Sequence, residues 1–220
     1  MILDIFSRYM VGWMLAYRES AELAKKLIEP TLERHNIEPG SLTVHADRGA
    51  AMTSKQVAFL LAGLGVTKTH SRPYVSNDNP YSESQFKTMK YRPEFPERFG
   101  CYQDADRFCT EFFPWYNHVH HHSGVAYLTP YEVHYGMAQA RCEQRAEVLK
   151  EAFEKNPQRF VRGLPQPAPL PTAAWINKPK PILLADDAEP ENSLIMTTEQ
   201  KNGSHSCPIT NDQPSVKGLG

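Results

Sequence analysis

His45-Ala46-Asp47-Arg48-Gly49-Ala50, followed downstream by Ser76-Asn77-Asp78-Asn79-Pro80-Tyr81-Ser82-Glu83-Ser84-Gln85-Phe86-Lys87-Thr88-Met89-Lys90, decides how this chain is read. The first carboxylate, Asp47, follows the alternating run Leu42-Thr43-Val44-His45 and precedes Arg48-Gly49, so it stands where a short strand ends and the chain turns. In α/β sheets that is the end at which ligands are presented. The second, Glu83, follows Asn79-Pro80, an N-cap and first-turn pair, which places it one turn into a helix. Glu83, Lys87 and Lys90 then share one helical face, with Phe86 and Met89 directed elsewhere. A carboxylate backed by two cations on one ridge suits a divalent ion held beside a phosphate backbone. Thirty-five residues separate the two acids.

Taken alone, Asp47-Arg48-Gly49 reads as a capped turn, and Lys87 and Lys90 as ordinary solvated charges. Composition narrows the choice. The chain has 220 residues, enough for one domain with a core plus appendages, with 40% hydrophobic and 22% charged residues as in soluble globular proteins. No apolar run reaches bilayer length and no signal-peptide pattern opens the chain, so no membrane association and a cytoplasmic location are expected. Cys101, Cys109, Cys142 and Cys207 show no paired spacing, which favours reduced thiols. The net charge is −1, but Leu183 onward carries six acids and two bases, leaving 22 bases against 19 acids upstream. Nucleic-acid affinity must then come from a local patch and from metal rather than bulk charge.

The ordered set of motifs is more specific than any one of them. Asp47-Arg48-Gly49, the intervening segment, and Asp78-Asn79-x-x-x-Glu83-Ser84-x-Phe86-Lys87-Thr88-x-Lys90 resemble the integrase core of bacterial insertion-sequence transposases, relatives of retroviral integrase with an Asp-Asp-Glu triad. Trp115-Tyr116-Asn117, Leu128-Thr129-Pro130, Leu3-Asp4-Ile5-Phe6-Ser7-Arg8 and Val11-Gly12-Trp13 extend the resemblance over roughly residues 1–180. It implies an α/β fold of the ribonuclease H-like integrase type, a mixed central sheet flanked by helices, with the first family strand missing. It also implies Asp47 and Glu83 as the second and third carboxylates, a Mg2+ (or Mn2+) cofactor, and DNA, both transposon ends and target, as partner. A homo-oligomer or a mixed assembly with intact transposase follows from the same resemblance.

The first family aspartate belongs to a strand ahead of Met1, so the chain reads as an amino-terminal truncation or a downstream fragment, lacking the upstream helix-turn-helix and inactive alone. Asp4 is a candidate substitute ligand, set against a role in bonding the backbone of its own turn. Lys87, Lys90, Arg48, Arg72 and Tyr74 are the candidate DNA contacts. His118, His120, His121 and His122 suggest a zinc site at first sight, but no second ligand pair has suitable spacing. The resemblance instead has Trp115 and Tyr116 packing on the core while His120 and His122 fix a loop, with direct DNA contact by the histidines as a further reading.

In chain order, Met1–Phe6 and Tyr9–Tyr17 read as neighbouring strands joined at Ser7-Arg8. Ser20 caps a helix kinked by Pro30. Ser54 opens another, ended by Gly63 and Gly65, ahead of a strand at Val66–Thr69. A helix from about Gln103 bends at Pro114, a short one starts at Thr129-Pro130, and Gln139–Glu154 forms a charged, exposed helix. The expected organisation is a catalytic core over 1–135, a charged helical extension over 136–162, a proline-rich strap over 163–182 and a disordered acidic tail over 183–220, with out-of-register read-through as a further reading of the tail.

Overall fold

The computed structural model describes residues 1–73, 75 and 78–178. Tyr74, the acidic tail and the last residues of the strap lie outside the described residues. Among the described residues, two short sheets and seven α-helices follow one another along the chain. β1 (Ile2–Leu3) and β2 (Met10–Gly12) form an antiparallel pair. β3 (Thr43–Ala46) and β4 (Thr67–His70) form a parallel pair in the register Thr43↔Thr67 to Ala46↔His70. Antiparallel and parallel pairing are thus both present, in two two-stranded units.

The first pair is shorter than the apolar runs suggest because Asp4 turns the chain early. Its Oδ1 accepts from the Phe6 amide at 3.0 Å, and the Arg8 amide donates to its carbonyl at 2.8 Å. Arg8 adopts φ 65°, so the turn closes in the left-handed region. Oδ2 of Asp4 accepts from the Ser7 hydroxyl and faces Nδ1 of His134 at 3.0 Å. Both carboxylate oxygens are therefore used within the turn and its contact with α6 (Pro130–His134). That is the turn-bonding role, not a free metal ligand.

α1 (Ala21–Arg34) starts where Ser20 accepts from the Leu23 amide, and buries Ile28, Thr31 and Leu32. The helix runs on through Pro30. β2 lies directly against it, since a Cβ on Gly12 would collide with the Thr31 hydroxyl. α2 (Ala50–Thr53) and α3 (Lys55–Gly63) are separated only by Ser54, whose extended backbone (ψ 148°) breaks the helix while its hydroxyl caps the next. Ile28, Leu32, Val57, Leu61 and Val66 make one apolar core between α1, α3 and the approach to β4. Full burial of each such side chain is worth about 1.5–3 kcal/mol.

α4 (Pro80–Lys90) and α5 (Tyr102–His118) follow. Met10, Phe112, Phe113 and Tyr116 form a second core with Trp13, Phe108 and Met89 against it. Asn117 joins this core to the sheet: its Oδ1 accepts from the Met10 amide at 2.8 Å and its Nδ2 donates to the Met10 carbonyl at 3.1 Å. The side chain thereby imitates a neighbouring strand for β2. A third cluster, Val125, Leu128 and Val133, lies at α6, which opens with a Thr129–Glu132 capping box.

α7 (Ala138–Lys155) contains no buried residue, in keeping with its charged sequence. It is tied back by Arg145, which donates to the carbonyls of Ala126 and Tyr127 at 2.8 and 2.7 Å. Both of those residues have positive φ, so the arginine holds a strained corner. Cys101, Cys109 and Cys142 are free thiols. Among the described residues no helix is long and apolar enough to cross a membrane.

Candidate functional site

Asp47 stands immediately past the carboxyl end of β3, and its side chain is exposed. Its Oδ1 accepts from the Gly49 amide at 3.1 Å, closing the turn. A side chain at Gly49 would meet Glu19 Oε1 at 2.8 Å and Asp47 Oδ1 at 3.1 Å, so the glycine lets both carboxylates close on the turn. Nδ1 of His70 faces the Asp47 carbonyl at 2.9 Å; a carbonyl can only accept, so that nitrogen is protonated. The backbone under the carboxylate is thus pinned from the neighbouring strand, and the carboxylate itself faces solvent.

His45, two residues earlier on the same face of β3, links this strand to the loop that leads into α4. Its Nδ1 meets the Thr69 hydroxyl at 2.9 Å, and its Nε2 donates to the carbonyl of Asp78 at 3.0 Å. Asp78 is 2% exposed. Its Oδ2 accepts from the Arg72 amide at 2.7 Å and Nε at 2.9 Å, and its Oδ1 from Nη2 at 2.8 Å. The Arg72 guanidinium, with help from its backbone amide and from Asn177, holds the Asp78 carboxyl far below the usual range.

α4 begins two residues later. Asn79 supplies its carbonyl to the Glu83 amide at 3.2 Å, but makes no side-chain cap. Glu83, Lys87 and Lys90 are all exposed along one ridge. Among the described residues neither lysine has an acidic partner within ion-pair distance. Arg48 is exposed too. Arg72 is engaged by Asp78, although its side chain remains 63% exposed. Tyr74 lies outside the described residues.

Sequence reasoning missed the connecting residues. Asp78 sits in a polar run that resembles a surface loop, and only its bidentate arginine reveals it as a buried anchor. Gln85 is the buried residue of α4, at 1% exposure, with no partner for either amide atom among the described residues. His45 had a legible signal in the strand alternation that sets it on the side of Asp47.

The histidine run is an aromatic support. His120 stacks on Tyr116 at 5.5 Å, His118 tilts over Tyr131 at 4.3 Å, and Nδ1 of His122 accepts from the Gly124 amide at 3.0 Å. Burial, followed by nearby Arg8 and His120, pushes His122 down to about 4. Burial, with His121 and Arg92 adding, lowers His120 as well.

As for a metal, Asp47 and Glu83 offer exposed hard oxygen donors, the type a hydrated magnesium ion accepts from one or two carboxylates. Among the described residues no group of three His, Cys, Asp or Glu side chains gathers as a metal site. The donor type fits such an ion.

Two family models, both described as Integrase core domain, match residues 1–76 and 64–130. The chain belongs to the integrase core family. The fold is accordingly of the ribonuclease H-like integrase type. The Transposase for insertion sequence element IS904 of Lactococcus lactis subsp. lactis (strain IL1403) is 30% identical over 132 residues, covering 58% of this chain and 51% of the relative. This integrase core chain therefore spans about half the length of that curated relative. A chain in the cryo-EM structure of a simian T-cell lymphotropic virus intasome in complex with PP2A regulatory subunit B56 gamma is 16% identical, with a TM-score of 0.40, covering 54% of this chain and 41% of that one.

Proposed function

We propose that this integrase core acts in DNA integration or transposition through a divalent cation, magnesium or manganese, held by Asp47 and Glu83. The observation that carries the reading is the 3.0 Å hydrogen bond from His45 to the Asp78 carbonyl, which ties the strand presenting Asp47 to the start of the helix presenting Glu83. When bound, the cation supplies charge neutralisation and nucleophile activation for phosphodiester cleavage. Gly49 and His70 fix the turn that aims Asp47, and the first helical hydrogen bond of α4 fixes Glu83. Lys87, Lys90 and Arg48 take the phosphates of a DNA backbone, with Arg72 and Tyr74 on the adjoining loop. The partners are transposon-end and target DNA, met in the cytoplasm by a homo-oligomer.

With no group of three metal-ligating side chains among the described residues, the chain alone is expected to bind DNA and metal without completing strand transfer. The same observation favours a second reading, a non-catalytic nucleic-acid-binding subunit that modulates an intact transposase by mixed assembly. Anisotropy of a labelled DNA duplex with Mg2+, paired with a strand-transfer assay, tests both. The expected result is salt-sensitive binding that weakens in the Lys87→Ala/Lys90→Ala variant, with no strand-transfer product from the chain alone. Binding indifferent to both lysines and to Asp47→Asn overturns the DNA surface. Unchanged strand transfer by intact transposase mixed with this chain removes the second reading.

A further inference from the structure

The strap residues Trp175 and Asn177 return to the loop that precedes α4. Asn177 Nδ2 donates to Asp78 Oδ1 at 2.6 Å. The Tyr81 hydroxyl donates to the Trp175 carbonyl at 2.9 Å, and the Trp175 amide approaches the same hydroxyl at 3.2 Å. Asp78 and Tyr81 bracket the first residue of α4, two positions before Glu83 in the case of Tyr81. Asn177 makes its contact from φ 56°, a left-handed conformation that asparagine tolerates better than most residues. The Asp78 carboxylate thus receives Arg72 from its own loop and Asn177 from far downstream, while its carbonyl receives His45 from β3.

We propose that the strap is a positioning element for the carboxylate pair: Asn177 and the Trp175 backbone clamp Asp78 and Tyr81, and so set the first turn of α4 on which divalent-cation affinity depends. This rests on the reading of Asp47 and Glu83 as cation ligands. The physical reason is order. The described residues between β4 and α4 include no strand, so the first turn of α4, which carries Glu83, takes its placement in part from what that loop is bonded to. Arg72 ties the loop to itself and His45 ties it to β3, whereas the strap ties it to a segment far downstream. Groups that orient metal ligands from behind affect affinity strongly although they never touch the ion.

The test uses the full chain carrying Asn177→Gly and Tyr81→Phe. Glycine keeps the positive φ and deletes the amide; phenylalanine deletes the hydroxyl and keeps the ring that lies 4.0 Å from the Arg8 guanidinium. Mn2+ titration, read as free-ion EPR signal, should show affinity weakened about tenfold. Hydrogen exchange at the Glu83 and Ser84 amides should accelerate while α5 stays unchanged. Asn177→Asp, which sets a second carboxylate against Asp78, should weaken Mn2+ binding in the same direction. A strap with a merely structural role lowers the melting temperature and leaves the Mn2+ affinity alone. If Glu83→Gln abolishes Mn2+ binding in the parent and the clamp variant binds Mn2+ unchanged, the proposal is overturned. If the parent binds no Mn2+, or binds it independently of Glu83, the carboxylate reading has failed instead. The clamp is then decided by exchange alone: accelerated α4 amides support it and unaccelerated ones overturn it.

Discussion

His45 donates from Nε2 to the carbonyl oxygen of Asp78 across 3.0 Å, joining the carboxyl end of a parallel strand to the residue that leads into the Glu83 helix. The bond crosses 33 positions of sequence and is part-buried. Its energetic weight is that of a backbone acceptor that would otherwise lie unpaired.

Replacing His45 with alanine removes the donor to Asp78 and the acceptor of the Thr69 hydroxyl together. The expected loss is about 1–2 kcal/mol of unfolding free energy. Urea denaturation checks it, and a variant as stable as the parent would show that the bond has no net effect on folding.

Asn117→Ala should cost more, because it leaves the Met10 amide and carbonyl unpaired in a buried place. A loss of about 2–3 kcal/mol is expected from two orphaned backbone groups. The same denaturation measurement applies, and near-UV circular dichroism should report loosening of the aromatic core around Phe112, Phe113 and Tyr116.

Acid should destabilise the fold in a defined window. His122 titrates near 4 in the folded chain against 6.5 for an unperturbed imidazole. Between those values the unfolded chain binds the proton and the folded chain does not, so stability falls as pH drops from about 6.5 to about 4 and levels off below. His120 is shifted in the same direction. Protonation would also break the bond that Nδ1 of His122 accepts from Gly124. Denaturation midpoints across this range should slope in the parent, and His122→Gln should flatten them; an equal slope in both would assign the effect elsewhere. The lowered carboxyls of Asp78, Asp4 and Glu132 add acid sensitivity below the ordinary carboxylate range, a separate interval.

Lys87 and Lys90 should act on DNA through phosphates alone. Each alanine substitution is expected to weaken duplex binding similarly across sequences and to reduce the salt slope by about one. Arg72→Lys should behave differently, since lysine cannot reproduce the paired contacts to Asp78. A larger loss of thermal stability than in the Lys87 and Lys90 variants is its signature.

Much of this was readable from residue order. Ser20, Ser54 and Thr129 announce three helices by their hydroxyl caps, and Pro80 marks the start of the Glu83 helix. The Glu83, Lys87 and Lys90 ridge follows from helical period alone. Other features depend on tertiary contacts that no local pattern encodes. The apolar runs around Asp4 shrink to strands of two and three residues because a carboxylate bonded to its own turn ends them. Asp78 looks like solvent-facing loop until Arg72, His45 and Asn177 are seen to converge on it. Trp175 and Asn177 lie in a proline-rich stretch whose place of docking no local pattern gives.

The central claim is that Asp47 and Glu83 share one divalent ion. Mn2+ affinity measured for the parent, Asp47→Asn, Glu83→Gln and the double variant tests it most directly. Each single substitution should abolish most of the binding, and the double variant should lose little more, because two ligands of one ion are not independent. Losses that simply add, or a Glu83→Gln chain that binds Mn2+ like the parent, would contradict it.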